Sequence, residues 1–357
     1  MSSEGESFSA SGPNHLTVID WESTHYRSSV IASLVQGVYV LERDRQQNRV
    51  KTLKALAPPW WEFFNFQLND VLVDPVDHSF FGAVFELKSP ALIKAPKYVV
   101  AFRGTLTEPN TRSRDILLDL KCISNRLHKN SRFKCAFDSI KTMVDSAGTA
   151  NVWLGGHSLG SAIALHAGKK MTKRGYPLET YLFNCPFVSA TLERIWYKKI
   201  KHGIHFSSSV IKVAAIGTYN YLQKHKKQEE DDQFEVLANW VPHLFVNPAD
   251  PICSGYIDYF SHREMMEIIG ASEIERLATK HTGVSLMSAA ILGRKSEPYH
   301  LLPSAELIIN HGQSSSFSKA HGIAQWWDPE LNFRIIMYKG NKTFVGNSND
   351  FSHAILL

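Results

Sequence analysis

The chain has 357 residues, 44% hydrophobic, 20% charged and 11% aromatic, a composition that excludes a disordered or fibrous protein and suffices for one large core. Its net charge of +5 is small and its basic residues are scattered, so no nucleic-acid partner is expected. Cys122, Cys135, Cys185 and Cys253 are too few and too widely spaced for a disulfide scaffold or a metal-ligand pattern; free thiols, no metal and no cofactor are expected.

Residues 1–12 are rich in Ser, Glu and Gly and lack a basic patch followed by an apolar run, so they do not read as a secretory signal. The expectation is a flexible segment over 1–20, a single α/β domain over 21–340 and a tail over 341–357. No apolar run reaches membrane-spanning length, and an intracellular, cytoplasmic protein is expected. Residues 26–47 read as a packing helix, with Val30, Leu34, Val38 and Leu41 at helical spacing. The aromatic run from Pro58 through Trp60 and Trp61 to Phe66 reads as core under a sheet in preference to an acyl- or membrane-contacting surface.

Strand signals follow at 80–87 and 97–102, the second ending in Arg103-Gly104-Thr105. A helix is expected over 131–146. A short strand at 151–154 then runs into Gly155-Gly156-His157-Ser158-Leu159-Gly160, and helical spacing resumes through Ala162, Leu165 and Met171. Further strands are expected at 180–183, before Asn184-Cys185-Pro186, and at 240–246, before Asn247-Pro248-Ala249-Asp250. Such alternation implies a mostly parallel central sheet flanked by helices. Residues 191–234 carry the apolar stretch Val210 to Ile216 beside lysines and read as an insertion, a lid or membrane-surface element.

Gly156, Ser158 and Gly160 form G-x-S-x-G, in which a serine stands on a turn too tight for flanking side chains. The pattern alone is weak, but a strand before it and a small-residue helix after it supply the context of a nucleophile elbow. A serine hydroxyl is a poor nucleophile at neutral pH, so it needs a base within hydrogen-bond reach and an acid to orient that base. In the α/β-hydrolase fold the chain order is Ser, acid, His. Asp250 stands at the carboxyl end of a strand and fits the acid. His262, His281, His300, His311, His321 and His353 all follow it. His262 falls in a helix and His300 precedes the strand around Leu307 to Ile309; His321 follows that strand by a loop and is favoured over His300 and His311. His157 points away from the serine by strand alternation and reads as structural. The oxyanion donors expected are the N–H of Leu159 and, from the loop after an earlier strand, Thr105. Arg103 reads as a partly buried guanidinium paired with Asp115 or Asp119.

The residues Val99 to Thr105, Asp115 to Leu120 and Gly156 to Gly160 together resemble the class 3 lipases, and the whole chain resembles a plant branch often labelled GDSL esterase/lipase, although it has no Gly-Asp-Ser-Leu block. The resemblance implies an α/β-hydrolase acting on acyl lipids or related esters, with Ser158, Asp250 and His321 as triad and Thr105 with Leu159 as oxyanion donors. Two departures stand out: Asn184-Cys185-Pro186-Phe187 lacks the glycine and arginine typical around that proline, and no lid is evident between Thr105 and Ser131. Peripheral membrane contact fits this reading, and the oligomeric state is not readable. The tryptophan pairs Trp60-Trp61 and Trp326-Trp327 would suit an acyl chain. A non-catalytic scaffold and an acyltransferase using the same triad are the rival readings.

Overall fold

A computed structural model describes residues 4–89, 94–106, 131–187, 235–268, 302–312, 314–340, 342–346 and 355–356. Among the described residues ten strands form one sheet in sequence order: β1 Phe66–Val73, β2 Phe80–Leu87, β3 Tyr98–Phe102, β4 Val152–His157, β5 Thr180–Phe183, β6 His243–Val246, β7 Ala305–Asn310, β8 Phe333–Lys339, β9 Lys342–Gly346 and β10 Ile355–Leu356. Strands β3 to β7 run parallel, and the pairings outside them, β1–β2–β3 and β7–β8–β9–β10, are antiparallel. The mostly parallel sheet expected from sequence is thus a parallel centre with antiparallel margins. Strand β1 escaped the sequence reading because Gln67, Asn69 and Asp70 break its apolar run, and this margin faces solvent on one side.

Alternation along each strand divides the core in two. Val100 and Phe102, Leu154, Leu182, Leu244 and Val246, and Leu307 and Ile309 face one side, with the helices Ser131–Ala147 and Leu159–Thr172. Val99, Ala101, Trp153, Tyr181, Phe183, Phe245 and Ile308 face the other, with the helix Thr24–Gln46. The period of two in a strand sends neighbours to opposite faces, and both faces are covered, so every residue of β4 is buried. Helix Thr24–Gln46 is held at its start by Ser23, whose hydroxyl accepts from the Tyr26 N–H at 3.2 Å. It lies so close to the sheet that a Cβ on Gly155 of β4 would come within 2.4 Å of its Ile31 side chain, and its Ser33 hydroxyl donates to the Trp60 carbonyl at 2.9 Å.

The aromatic run belongs to this second face. The short helix Pro59–Glu62 buries Trp60 completely, with Trp61, Phe64 and Phe66 beside it. Trp326 is 0% exposed and Trp327 5%. Both tryptophan pairs are therefore core, which argues against the acyl-chain role that these pairs suggested in the sequence. Phe8 in the helix Phe8–Ser11 packs edge-on against Trp60, and the Trp60 indole donates to the Glu6 carbonyl at 3.0 Å. That docking corrects the flexible segment expected over 1–20: an apolar Phe8 inside a polar run was enough to anchor it. Strands β9 and β10 likewise place part of the expected tail in the sheet. Residues 191–234, with the proposed lid, lie outside the described residues.

At the amino ends of the parallel strands sits a buried charge cluster. His243 opens β6, its Nε2 is 2.7 Å from Glu179 just before β5, and its Nδ1 meets Glu306 of β7. Burial opposes charge on this imidazole, but Glu306 and Glu179 outweigh it and raise its pKa to about 10. Tyr181 stacks on it at 4.6 Å.

Candidate active site

The opposite edge of the sheet, where the parallel strands end, collects every site residue expected from sequence. In-register pairing makes this so: Phe102 aligns with Gly156, Gly156 with Leu182, and Phe183 with Phe245, so β3 to β6 finish together. Ligand sites of open α/β sheets lie outside such carboxyl ends.

Ser158 follows β4 directly and caps the next helix with φ of 54° and ψ of −124°, a strained conformation for a residue with a side chain. The turn is possible only because both flanking positions are glycine. A Cβ on Gly156 would lie 2.5 Å from the Gly160 carbonyl oxygen, and one on Gly160 would strike the Phe102 carbonyl of the neighbouring strand. The elbow is also fastened at its base, since the Ser158 N–H donates to the Phe183 carbonyl at 3.0 Å.

Asp250 is fully buried on the loop after β6, and His321 ends the short helix Phe317–His321 that follows β7. The structure brings the three together. His321 Nε2 is 3.0 Å from Ser158 Oγ, and its Nδ1 is 2.9 Å from Asp250 Oδ2. A buried carboxylate accepts, so Nδ1 carries the proton and the free Nε2 lone pair receives the serine O–H. Burial would raise the Asp250 pKa, but the His321 hydrogen bond, its charge, the Asn184 amide and the Ile252 N–H hold it below the usual carboxylate range. Of the other histidines weighed, His262 falls within the helix Gly255–Ile268, as expected, and His311 is exposed in the loop after β7.

Asn184 was singled out in the sequence only as a departure, and the structure gives it a place. It holds a left-handed φ of 48° just after β5. Its Nδ2 donates to Asp250 Oδ2 at 2.7 Å and to the Ala320 carbonyl at 3.0 Å, while its Oδ1 accepts from the Trp326 indole at 2.7 Å. Cys253 Sγ approaches the same carboxylate oxygen at 3.2 Å. Gln325 fastens the base loop from the other side, donating to the Ala320 and Gly322 carbonyls at 2.7 and 2.8 Å and accepting from Asn247 and Asn310. None of these partners has a motif that would have announced it; each depends on which loops meet at the edge.

The expected oxyanion donors also lie at this edge. Leu159 heads the helix Leu159–Thr172, where the first backbone N–H groups lack intrahelical partners. Gly104 packs so closely that a Cβ there would come within 2.9 Å of Ser158 Cβ, and Thr105 follows it, exposed. Arg103 departs from expectation in its described contacts: its guanidinium donates to the Phe80 and Gly104 carbonyls at 2.6 and 2.7 Å, which holds the turn from within. Asp115 and Asp119 lie outside the described residues.

His157, read as structural, is buried with its Nδ1 2.8 Å from the Tyr39 hydroxyl and its Nε2 2.7 Å from the His321 carbonyl. Burial, reinforced by the nearby His321 imidazole, lowers its pKa to about 3.

No family model matches the chain. A protein of Arabidopsis thaliana named GDSL esterase/lipase is 44% identical over 353 residues, covering 95% of this chain and 99% of the relative. Among solved structures, the Lip2 lipase of Yarrowia lipolytica is 16% identical, with 66% of this chain and 74% of that one covered at a TM-score of 0.36. A lipase of Rhizopus microsporus var. chinensis is 16% identical, with 45% of this chain and 57% of that one covered at a TM-score of 0.28.

Proposed function

The chain belongs to the family of lipase-like hydrolases that includes the Arabidopsis thaliana GDSL esterase/lipase, and from that premise we propose that it is a carboxylic ester hydrolase whose nucleophile is Ser158. The observation that carries the reading is the unbroken hydrogen-bond series from Ser158 Oγ through the His321 imidazole to the buried Asp250 carboxylate. Acyl lipids or related esters are the substrate class.

In the first step Ser158 Oγ attacks the ester carbonyl while His321 Nε2 takes its proton. The C–O bond to the alcohol then breaks, and the imidazolium returns the proton to the leaving oxygen. Water, deprotonated by the same nitrogen, attacks the acyl-enzyme and releases the acid. Asp250 keeps Nδ1 protonated and stabilises the imidazolium. In this reading the Leu159 and Thr105 N–H groups donate to the oxygen on which negative charge develops, each such donor typically contributing about 3 kcal/mol to the transition state.

A panel of p-nitrophenyl esters of graded chain length, assayed with wild type and Ser158→Ala, tests the reading. The expected result is turnover by wild type, labelling of Ser158 by a fluorophosphonate, and loss of both in the variant. Wild-type protein that neither hydrolyses the panel nor takes the label would overturn it and favour a scaffold. Transfer of the acyl group to an added alcohol in place of water would identify an acyltransferase. Contact with a lipid surface through residues 191–234 is proposed from their apolar and basic sequence, and deleting them should lower binding to anionic vesicles; unchanged binding refutes it.

A further inference from the structure

Three hydrogen bonds in series join the loop that carries the oxyanion donor to the loop that carries the base, and neither side chain in the series is used by the mechanism. The Gly104 N–H donates to Tyr39 Oη at 2.7 Å, Tyr39 Oη lies 2.8 Å from His157 Nδ1, and His157 Nε2 lies 2.7 Å from the His321 carbonyl oxygen. The protons can be placed by elimination. A carbonyl only accepts, so His157 Nε2 bears hydrogen; the neutral ring then presents a lone pair at Nδ1, which must receive the Tyr39 O–H; that oxygen is left to accept from Gly104. One tautomer of one neutral imidazole satisfies all three contacts, and burial keeps the ring neutral, with a pKa of about 3. Tyr39 is also boxed in: a Cβ on Gly104 would lie 2.6 Å from its hydroxyl oxygen.

We propose that Tyr39 and His157 are positioning residues for ester hydrolysis, a rigid neutral strut that sets the distance between the Gly104-Thr105 turn and the backbone of His321. The inference rests on the proposed function and goes beyond it, because neither residue touches the reacting atoms. The physical case is preorganisation. Oxyanion donors and base contribute to catalysis only when they are held where charge develops, and small misplacement costs turnover without costing substrate binding. Tyr39 comes from the helix Thr24–Gln46, packed on the sheet, so the strut is tied to the hydrophobic core. Gly104 gives its N–H to Tyr39 and its carbonyl accepts from the Arg103 guanidinium at 2.7 Å, so the peptide planes on both sides of Gly104 are held, including the one that carries the Thr105 N–H.

The test compares Tyr39→Phe, His157→Gln and His157→Leu with wild type in the full-length protein, with rates normalised to sites titrated by fluorophosphonate. For Tyr39→Phe, kcat on a short-chain ester should fall about 10- to 100-fold with KM within about twofold, and the inhibition constant of an alkylboronic acid should rise by the factor that kcat/KM falls. His157→Gln, whose amide can still accept and donate, should retain several times the activity of His157→Leu. A purely structural role would lower the melting temperature while leaving turnover per titrated site and boronate affinity at wild-type values, and that outcome overturns the proposal. Histidine 15N spectra give a readout independent of turnover: His157 should show the neutral Nε2–H tautomer from pH 5 to 9. Titration near the free value of about 6.5 overturns the strut even if the enzyme is active. Absence of any Ser158-dependent turnover in wild type overturns the proposed function, and with it a role in hydrolysis.

Discussion

The two edges of the parallel sheet each bury a histidine, and they treat it in opposite ways. At the amino edge His243 sits between Glu179 and Glu306 and is held charged, with a pKa of about 10. At the carboxyl edge His157 sits between a tyrosine hydroxyl and a carbonyl and is held neutral, with a pKa of about 3. The difference teaches what decides the state of a buried imidazole. Burial favours the neutral form in both places; only carboxylates within contact reverse it, and hydrogen bonds to neutral groups leave it standing. The charged edge ties strands together, whereas the neutral one keeps uncompensated charge away from the site where, in the proposed mechanism, charge appears on His321.

The contrast can be broken most severely at the triad. Asp250→Asn leaves the amide geometry close to the original but lets His321 take the wrong tautomer, and kcat should fall on the order of 10⁴-fold with the fold intact, read by ester hydrolysis and circular dichroism. A drop of less than tenfold would mean that Asp250 does not orient the base. At the amino edge the same kind of change should act on stability alone. His243→Gln leaves the buried Glu306 and the partly exposed Glu179 without their cation and should cost about 3 kcal/mol in urea unfolding, with turnover per folded molecule unchanged.

The pH dependence of stability separates the edges by sign. His243 has a raised folded pKa, so its contribution is complete below about 6.5 and is lost as pH rises toward 10. His157 has a lowered one: between about 6.5 and 3 the unfolded chain binds a proton that the folded chain refuses, and stability falls as pH falls. Urea melts across pH should therefore lose their alkaline slope in His243→Gln and part of their acid slope in His157→Gln. Parallel curves for both variants and wild type would dissolve the comparison.

Smaller effects test the supports. Asn184→Ala removes donors to Asp250 and to the Ala320 carbonyl and leaves the Trp326 indole unpaired; stability should fall by about 1–3 kcal/mol and kcat by roughly tenfold. The mildest is Trp326→Phe, which should cost about 1–2 kcal/mol and leave the chain-length profile of ester hydrolysis unaltered, since the ring is core. A shifted profile would return that tryptophan to the acyl site.

How much of this was legible in the sequence follows from how local each signal is. The elbow was readable because its cause is local: Gly156 and Gly160 are required by carbonyls within a few residues or on the adjoining strand, and strand, turn and helix are contiguous. Asp250 and His321 could be proposed as its neighbours because chain order and the edge of the sheet limit the choice, and both lie in hydrogen-bonded series with Ser158. Antiparallel β1 and the docked Phe8 were missed because their apolar residues are sparse, and their burial depends on partners far along the chain.

The sequence by itself therefore determined the alternation of strands and helices, the tight Gly-x-Ser-x-Gly turn and the order in which Ser158, Asp250 and His321 follow one another, since each rests on period, turn sterics or succession. Only the tertiary structure decided what surrounds them: that Tyr39, from a helix 118 residues before it, meets His157, that Asn184 donates a hydrogen bond to Asp250, and that the tryptophans turn inward. Those contacts join residues with no fixed spacing, and a hydrogen bond between them exists only once the sheet has brought its strand ends into register.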